Sequence, residues 1–284
     1  MDNQATNLRE LIRNFKNNLV QHYFQFRINT SKSAYKVTLR SQPYRILFIL
    51  SHMRSGSSLL THLLNSNLEI IGYGETHIQY SSELDFKKLM FKVYLQGREF
   101  NKLEHFNNFR MNHKYILDKV LHDHKFSDKS FLNSENIYII FLVREPERSL
   151  NSIITLKPHW TQEKTLDYYC QRLSMLANYA EMVNSKQHSL FITYDQLVNH
   201  TEAVFNALKS FLGTEEGFSE QYEILRTTGM QGIGDSSDNI KAGRIIKNAR
   251  KLENKISQDL VEKGMESFNQ CCAILTQYCT TVQQ

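Results

Sequence analysis

The feature that most constrains this chain is a strand-like run ending in a turn of small residues and passing straight into an amphipathic helix. Arg45-Ile-Leu-Phe-Ile-Leu50 is apolar at nearly every position, the pattern of a strand buried on both faces. Ser51-His-Met-Arg-Ser-Gly-Ser-Ser58 follows, and Leu59, Leu60, Leu63 and Leu64 then fall at helical spacing. The order recurs further along. Ile137-Tyr-Ile-Ile-Phe-Leu-Val143 is a second buried strand that stops at Arg144-Glu-Pro146. Pro146 suits the first turn of a helix, where its missing N–H is not needed. Leu150, Ile153 and Ile154 supply that helix with an apolar face. Ser189-Leu-Phe-Ile-Thr-Tyr194 reads as a third strand, followed by a helix through Ala203, Val204, Leu208 and Phe211. Strands alternating with helices predict an α/β fold, a central parallel sheet flanked by helices.

Long helices bracket this core. Leu8, Leu11, Ile12, Phe15, Leu19, Tyr23 and Phe26 predict an N-terminal helix over residues 1–30 with that face packed inward. Residues 162–184 and about 252–280 read as two more helices. With 284 residues, three Pro, no internal repeat and no low-complexity tract, nothing divides the chain. It reads as a single domain over 1–284, with a core at 45–247 and a C-terminal helical segment at 252–284. Residues 76–130 read as an insert, and residues 226–250 carry Gly229, Gly232, Gly234 and Gly243 among polar residues. In α/β proteins such inserts line or cover a site at the carboxyl edge of the sheet. The terminal helices leave monomer and homodimer both open.

Composition narrows the partners. There are 34 basic against 29 acidic residues and no long Lys/Arg run, which argues against a nucleic-acid partner and for a local anion site. The four Cys lack a C-x-x-C pair, so neither a disulfide scaffold nor a metal site is expected. No run approaches the roughly 18 apolar residues of a membrane span. MDNQATNLRE has no basic start leading into an apolar stretch. A cytoplasmic protein without a membrane partner is expected.

The chemistry lies in the two strand-to-helix loops. A Gly/Ser-rich turn can aim several backbone N–H groups at one point, and the helix N-terminus adds partial positive charge. In the first loop Arg54 adds a guanidinium fork matched to phosphate or sulfate oxygens, Gly56 the freedom to turn, and Ser55, Ser57 and Ser58 hydroxyls. The loop contains neither G-x-x-x-x-G-K-[ST] nor G-x-G-x-x-G. In the second unit Arg144 ends a strand, while Ser149 and Ser152 share a face of the next helix. A surface pair between Arg144 and Glu145 or Glu147 is the competing reading. Two Arg-bearing loops in one sheet suggest a ligand with two separate anionic groups.

The first loop, Ser51 to Leu60, resembles the 5′-phosphosulfate loop of sulfotransferases. Phe141-Leu-Val-Arg-Glu-Pro-Glu-Arg-Ser-Leu-Asn-Ser152 resembles their 3′-phosphate motif. Thr193-Tyr-Asp-Gln-Leu-Val198 is similar to a third segment, whose Tyr lies near the adenine. Asn65 to Glu75 resembles the stretch carrying the catalytic carboxylate in protein-tyrosine sulfotransferases and bacterial relatives. Gly232-Ile-Gly-Asp235 and Lys241-Ala-Gly-Arg244 resemble the late segment that closes over the nucleotide. The similarity runs from about 45 to 247. Met53 stands where many members have Pro, Arg54 agrees with the carbohydrate, tyrosine and bacterial branches, and Glu145 replaces the commoner Asp.

The resemblance implies a P-loop-kinase-like fold and a PAPS-dependent sulfotransferase (PAPS, 3′-phosphoadenosine 5′-phosphosulfate; its product is PAP), with no metal. It implies that Arg54, Ser55, Gly56, Ser57, Ser58, Arg144, Ser152, Tyr194, Lys241, Gly243 and Arg244 bind the donor. Arg54 would also stabilise the leaving phosphate. Glu75, after a Gly-Tyr-Gly turn, is the expected base, with His77 and then His52 as alternatives. The expected acceptor is a small molecule of bacterial secondary metabolism. Glu83, Asp85, Glu99 and Glu104 raise a cationic alkaloid as one choice, against their reading as solvated helix faces. A magnesium-dependent nucleotide or small-molecule kinase of similar topology is the alternative, weakened by the missing GK[ST].

Overall fold

A computed structural model describes residues 2–96, 107–225, 227–230, 238–247, 254 and 256–283. Among these, six strands form one sheet in the order β2-β3-β1-β4-β5-β6, every pair parallel. The strands are β1 (Arg45–Ser51), β2 (Ile70–Gly72), β3 (Tyr115–Val120), β4 (Ile137–Val143), β5 (Ser189–Thr193) and β6 (Thr280–Thr281). The helices are α1 (Asp2–Asn29), α2 (Ser57–Asn65), α3 (Asp85–Gln96), α4 (Asn107–Arg110), α5 (Pro146–Leu156), α6 (Gln162–Val183), α7 (Tyr194–Asn199), α8 (Thr201–Leu212), α9 (Asp238–Lys241) and α10 (Gln258–Tyr278).

Alternation along the strands sorts the core into two layers. Ile46, Phe48, Leu50, Ile139 and Phe141 face one side, where α1, α3, α6 and α10 pack. Leu47, Ile49, Ile140, Leu142 and Ile192 face the other, against α2 and α8. Leu59, Leu60, Leu63 and Leu64 of α2 are buried there. Each such burial contributes about 1.5–3 kcal/mol, so the loop preceding α2 hangs from a firmly held helix.

The structure corrects three expectations. Residues 76–130 are not simply an insert, because β3 lies within them and sits beside β1 at the middle of the sheet. Asp118 and Lys119 interrupt its apolar run, which hid it. The inward face of α1 differs as well: Phe24, Arg27 and Ile28 are buried, whereas Phe15, Leu19 and Phe26 are exposed. Leu8, Leu11 and Ile12 lie outside the described side chains. Finally, the third strand ends at Thr193. Its hydroxyl accepts from the Gln196 N–H while the Gln196 side chain accepts from Thr193 N–H, a capping box that makes Tyr194 the first residue of α7.

From β1 the chain moves out to β2, and from β4 it moves the opposite way to β5. The crevice between the carboxyl ends of β1 and β4 is therefore the topological switch point, where open α/β sheets bind ligands. Because all strands are parallel, the segments after β1, β2, β3, β4 and β5 emerge at the same edge. Among the described residues, no helix is long and apolar enough to cross a membrane.

Candidate active site

The turn after β1 is built for a close approach of backbone to ligand. Arg54 and Gly56 both have left-handed backbones, with φ of 64° and 93°. Gly56 occupies the N-cap of α2 with no side-chain cap, and the first turn holds no acidic residue. The first N–H groups of α2 therefore lack the capping acceptor that helices of this kind usually carry. A Cβ on Gly56 would overlap Cδ2 of Tyr194 and lie 2.6 Å from its Cε2. Glycine is required here by both backbone angle and space.

The second loop meets the first. Arg54 Nε donates to Ser152 Oγ at 2.7 Å, and Arg144 Nη1 donates to the Arg54 carbonyl at 3.3 Å. The Arg144 guanidinium lies 4.1 Å from the Tyr194 ring centroid, a cation–π contact. Arg54, Gly56, Arg144, Ser152 and Tyr194 thus converge although they are spread over 140 residues of sequence. Glu145 does not take Arg144 into a surface pair; it caps α5 through the Arg148 N–H and lies 3.4 Å from Arg148 Nε. Burial and then the neighbouring cations Arg148 and Arg54 oppose the Arg144 charge, holding its pKa below the ordinary value, while Tyr194 and Glu145 favour it. Arg144 Nε and Ser55 Oγ are buried without hydrogen-bond partners. Unpaired buried donors of this kind are costly and rare, and here they fit an anionic ligand. Ser149 instead donates to the Arg144 carbonyl.

Glu75 follows β2, and its Oε1 is buried without a hydrogen-bond partner, 3.4 Å from His77 Nδ1. Burial raises its pKa above the usual carboxylate value, opposed by Lys119 and His77. His77 is 44% exposed, so a bound molecule could reach it. The Glu75 turn is held by a network absent from the sequence reading. The fully buried Asp118 accepts from the N–H and hydroxyl of Thr76, from Tyr80 OH and from the Lys119 N–H. Lys119, buried at the end of β3, donates to Ser58 Oγ at 3.3 Å and to the Gly74 carbonyl through its backbone. One lysine therefore joins the anion loop to the Glu75 turn. An Asp-Lys pair inside an otherwise apolar strand was the available signal.

His52 is not placed to act as a base. It is fully buried, and both ring nitrogens are engaged with backbone. Arg172, 2% exposed, donates to the carbonyls of Ser51 and Val120 and pairs with Asp123, tying together the ends of β1 and β3. Tyr168 OH accepts from the Met53 N–H at 3.0 Å. Its ring lies 5.8 Å from Trp160 and 6.3 Å from His122, which stacks on His124. Burial, then Arg172 and His124, lower the His122 pKa to about 4.

Lys241, the last residue of α9, and Arg244 just beyond it are exposed. This segment packs through Tyr222, whose hydroxyl bonds to the carbonyls of Ile240 and Arg244 and whose ring lies 5.2 Å from His62 of α2. Gly243 has φ of 65° and its carbonyl accepts from the Tyr222 N–H. Gly232 to Asp235 lie outside the described residues, as do Glu99 and Glu104. Of the other acids considered for a cationic acceptor, Glu83 accepts from Tyr35 OH, and Asp85 accepts from the Ser81 and Ser82 N–H groups ahead of α3 while pairing with Lys88. Both serve the fold, but neither is a solvated helix-face charge: Asp85 is buried and Glu83 precedes α3. No group of three His, Cys, Asp or Glu suited to a metal ion occurs among the described residues.

Solved structures with which the chain aligns include a sulfotransferase domain from the curacin biosynthetic pathway (16% identity, 80% of this chain and 98% of that one, TM-score 0.48). Mouse sulfotransferase SULT7A1 complexed with PAP gives 12% identity over 84% and 89%, TM-score 0.48. A sulfotransferase from Alicyclobacillus acidocaldarius gives 11% over 83% and 95%, TM-score 0.42. No curated protein sequence matches significantly. A family model does: the one described as the sulfotransferase family matches residues 47–220, from β1 through both arginine-bearing loops and β5 to beyond α8. That span is more than half of the chain and contains both arginine-bearing loops and Glu75, so the chain belongs to the sulfotransferase family and is a sulfotransferase.

Proposed function

We propose that this enzyme transfers a sulfuryl group from PAPS to a hydroxyl or amine of a small-molecule acceptor in the cytoplasm, with no metal ion. The observation that carries the reading is the meeting of Arg54 and Arg144 at the switch point, with Ser55 Oγ and Arg144 Nε left unpartnered. A donor with anionic groups at both ends answers both loops. The four cysteines are free thiols, in keeping with a reducing compartment.

PAPS supplies a sulfuryl group carried on a phosphate that leaves. Arg54 and the N–H groups opening α2 bind that end, where negative charge grows as the bond to sulfur breaks. Donors fixed there favour the transition state over the ground state. Lys119, beside Ser58, adds a second cation to the same end. Arg144 and Ser152 hold the 3′-phosphate, Tyr194 lies against the adenine, and Lys241, Gly243 and Arg244 close over the nucleotide. Glu75 takes the acceptor proton. Its buried oxygen, which has no hydrogen bond within the fold and lies beside His77, and its raised pKa suit a base. His77 receives that proton from Glu75 and, being exposed, passes it to solvent. The rings of Trp160 and His122, inclined at 61° and 59° to that of Tyr168, give the acceptor an aromatic rim together with it.

Calorimetric titration with PAP in the absence of metal, alongside ATP with magnesium, tests the reading. Tight PAP binding with little ATP binding is expected. Magnesium-dependent ATP binding without PAP binding would defeat it.

A further inference from the structure

We infer that His52 is a positioning residue that locks the two anion-binding loops at a fixed separation, so that both ends of the donor are gripped at once. The inference rests on the donor reading above.

The sheet ladder between β1 and β4 ends at the pairing of Ser51 with Leu142. Beyond it the two chains must part, one toward Arg54 and the other toward Arg144. The His52 side chain continues the connection where the backbone stops. Its Nε2 accepts from the Arg144 N–H at 3.0 Å, and its Nδ1 faces the Met53 carbonyl at 2.8 Å. An amide N–H only donates and a carbonyl only accepts. The ring is therefore neutral, with its proton on Nδ1 and its lone pair on Nε2. A protonated ring would set N–H against N–H. Burial, with Arg144 and Arg172 nearby, holds the imidazole pKa down at about 4 and keeps it neutral through the working range.

The surroundings fix the ring and its target. The His52 and Tyr169 rings meet edge to face at 5.0 Å. The Tyr169 hydroxyl donates to the Arg144 carbonyl at 2.6 Å. Both backbone polar groups of Arg144 are thus held from the β1 side and from α6. Arg54 lies two residues beyond His52, and its carbonyl accepts from Arg144. A rigid link makes the second anion contact effectively intramolecular once the first has formed. It also removes the ordering cost that a loose loop would bear on binding. Without the link, each loop would still recognise its own anion, but the gain from joining them would shrink.

The test compares PAP, which carries both phosphates, with adenosine 5′-monophosphate, which lacks the 3′ group. The readout is the dissociation constant of the monophosphate divided by that of PAP, measured by calorimetry. His52→Gln places an amide oxygen near the Nε2 position and should keep the ratio within about threefold of the unmodified enzyme. His52→Leu removes both hydrogen bonds, and His52→Asn reaches only the Nδ1 position. Both should lower the ratio at least tenfold, with the monophosphate constant nearly unchanged; if the Leu variant does not fold, the Asn and Gln pair decides. Equal weakening of the two ligands, or an unchanged ratio in His52→Asn, would overturn the inference while leaving the donor reading intact. An unmodified enzyme that binds PAP no better than the monophosphate would overturn both.

Discussion

Gly56→Ala tests how the anion loop is assembled. The residue has φ of 93°, where a side chain costs about 1–2 kcal/mol. The added Cβ would also overlap the Tyr194 ring, with Cε2 at 2.6 Å. Overpacking of this kind costs about 1–3 kcal/mol. The substitution should therefore destabilise the protein by about 2–5 kcal/mol in urea unfolding followed by circular dichroism. PAP affinity should fall as well, because Tyr194 cannot move without leaving Arg144. A second substitution separates the two contributions. In Gly56→Ala combined with Tyr194→Ala the overlap is gone and only the backbone strain remains. The double variant should therefore be about 1–3 kcal/mol more stable than the two single changes predict when added. Additivity within about 0.5 kcal/mol would show that the ring does not press on the turn, and the geometry argued here would be wrong.

Further outcomes are expected at Glu75 and Arg172. Glu75→Gln should lower kcat by about 10²–10⁴-fold while leaving PAP affinity within about twofold; full turnover would remove Glu75 as the base. The same variant carries a stability prediction. Burial holds the Glu75 pKa above its ordinary 4.5, so the folded chain binds this proton more tightly than the unfolded chain and the group costs stability as pH rises above 4.5. Glu75→Gln should accordingly raise Tm at pH 7, and the gain should shrink as pH falls toward 4.5; a gain that grows in acid would contradict the sign. Arg172→Leu should cost about 3 kcal/mol, or roughly 5 °C in Tm, read by calorimetry. Arg172→Lys should not restore it, because a single ammonium cannot reach two carbonyls and Asp123 as the planar fork does.

Much of the frame was legible locally. The runs at 45–50 and 137–143 announced strands because they are continuous and β-branched or aromatic, and the small-residue turn after the first marked the anion loop. The hidden strands were hidden for physical reasons. The strand at 70–72 has three residues, too few to show a period. The strand at 115–120 carries Asp118 and Lys119, which only the tertiary structure can satisfy. Those same charges hold the Glu75 turn and reach Ser58. The N-terminal helix was predicted, but periodicity named several inward positions in Phe15, Leu19 and Phe26 that are exposed. A helical stripe shows that a face is apolar, not which partner exists to cover it.

By itself the sequence determined the alternating strands and helices, the two arginine-bearing turns and the glycine on which the first depends, because these follow from the period and chemistry of adjacent residues. Only the tertiary structure decided that Arg54, Arg144, Ser152 and Tyr194 meet. It alone turned His52 from a candidate base into a neutral bridge between the loops. Those outcomes depend on strand order and burial, which place groups far apart in the chain at one edge of the sheet and choose which hydrogen bonds each can make.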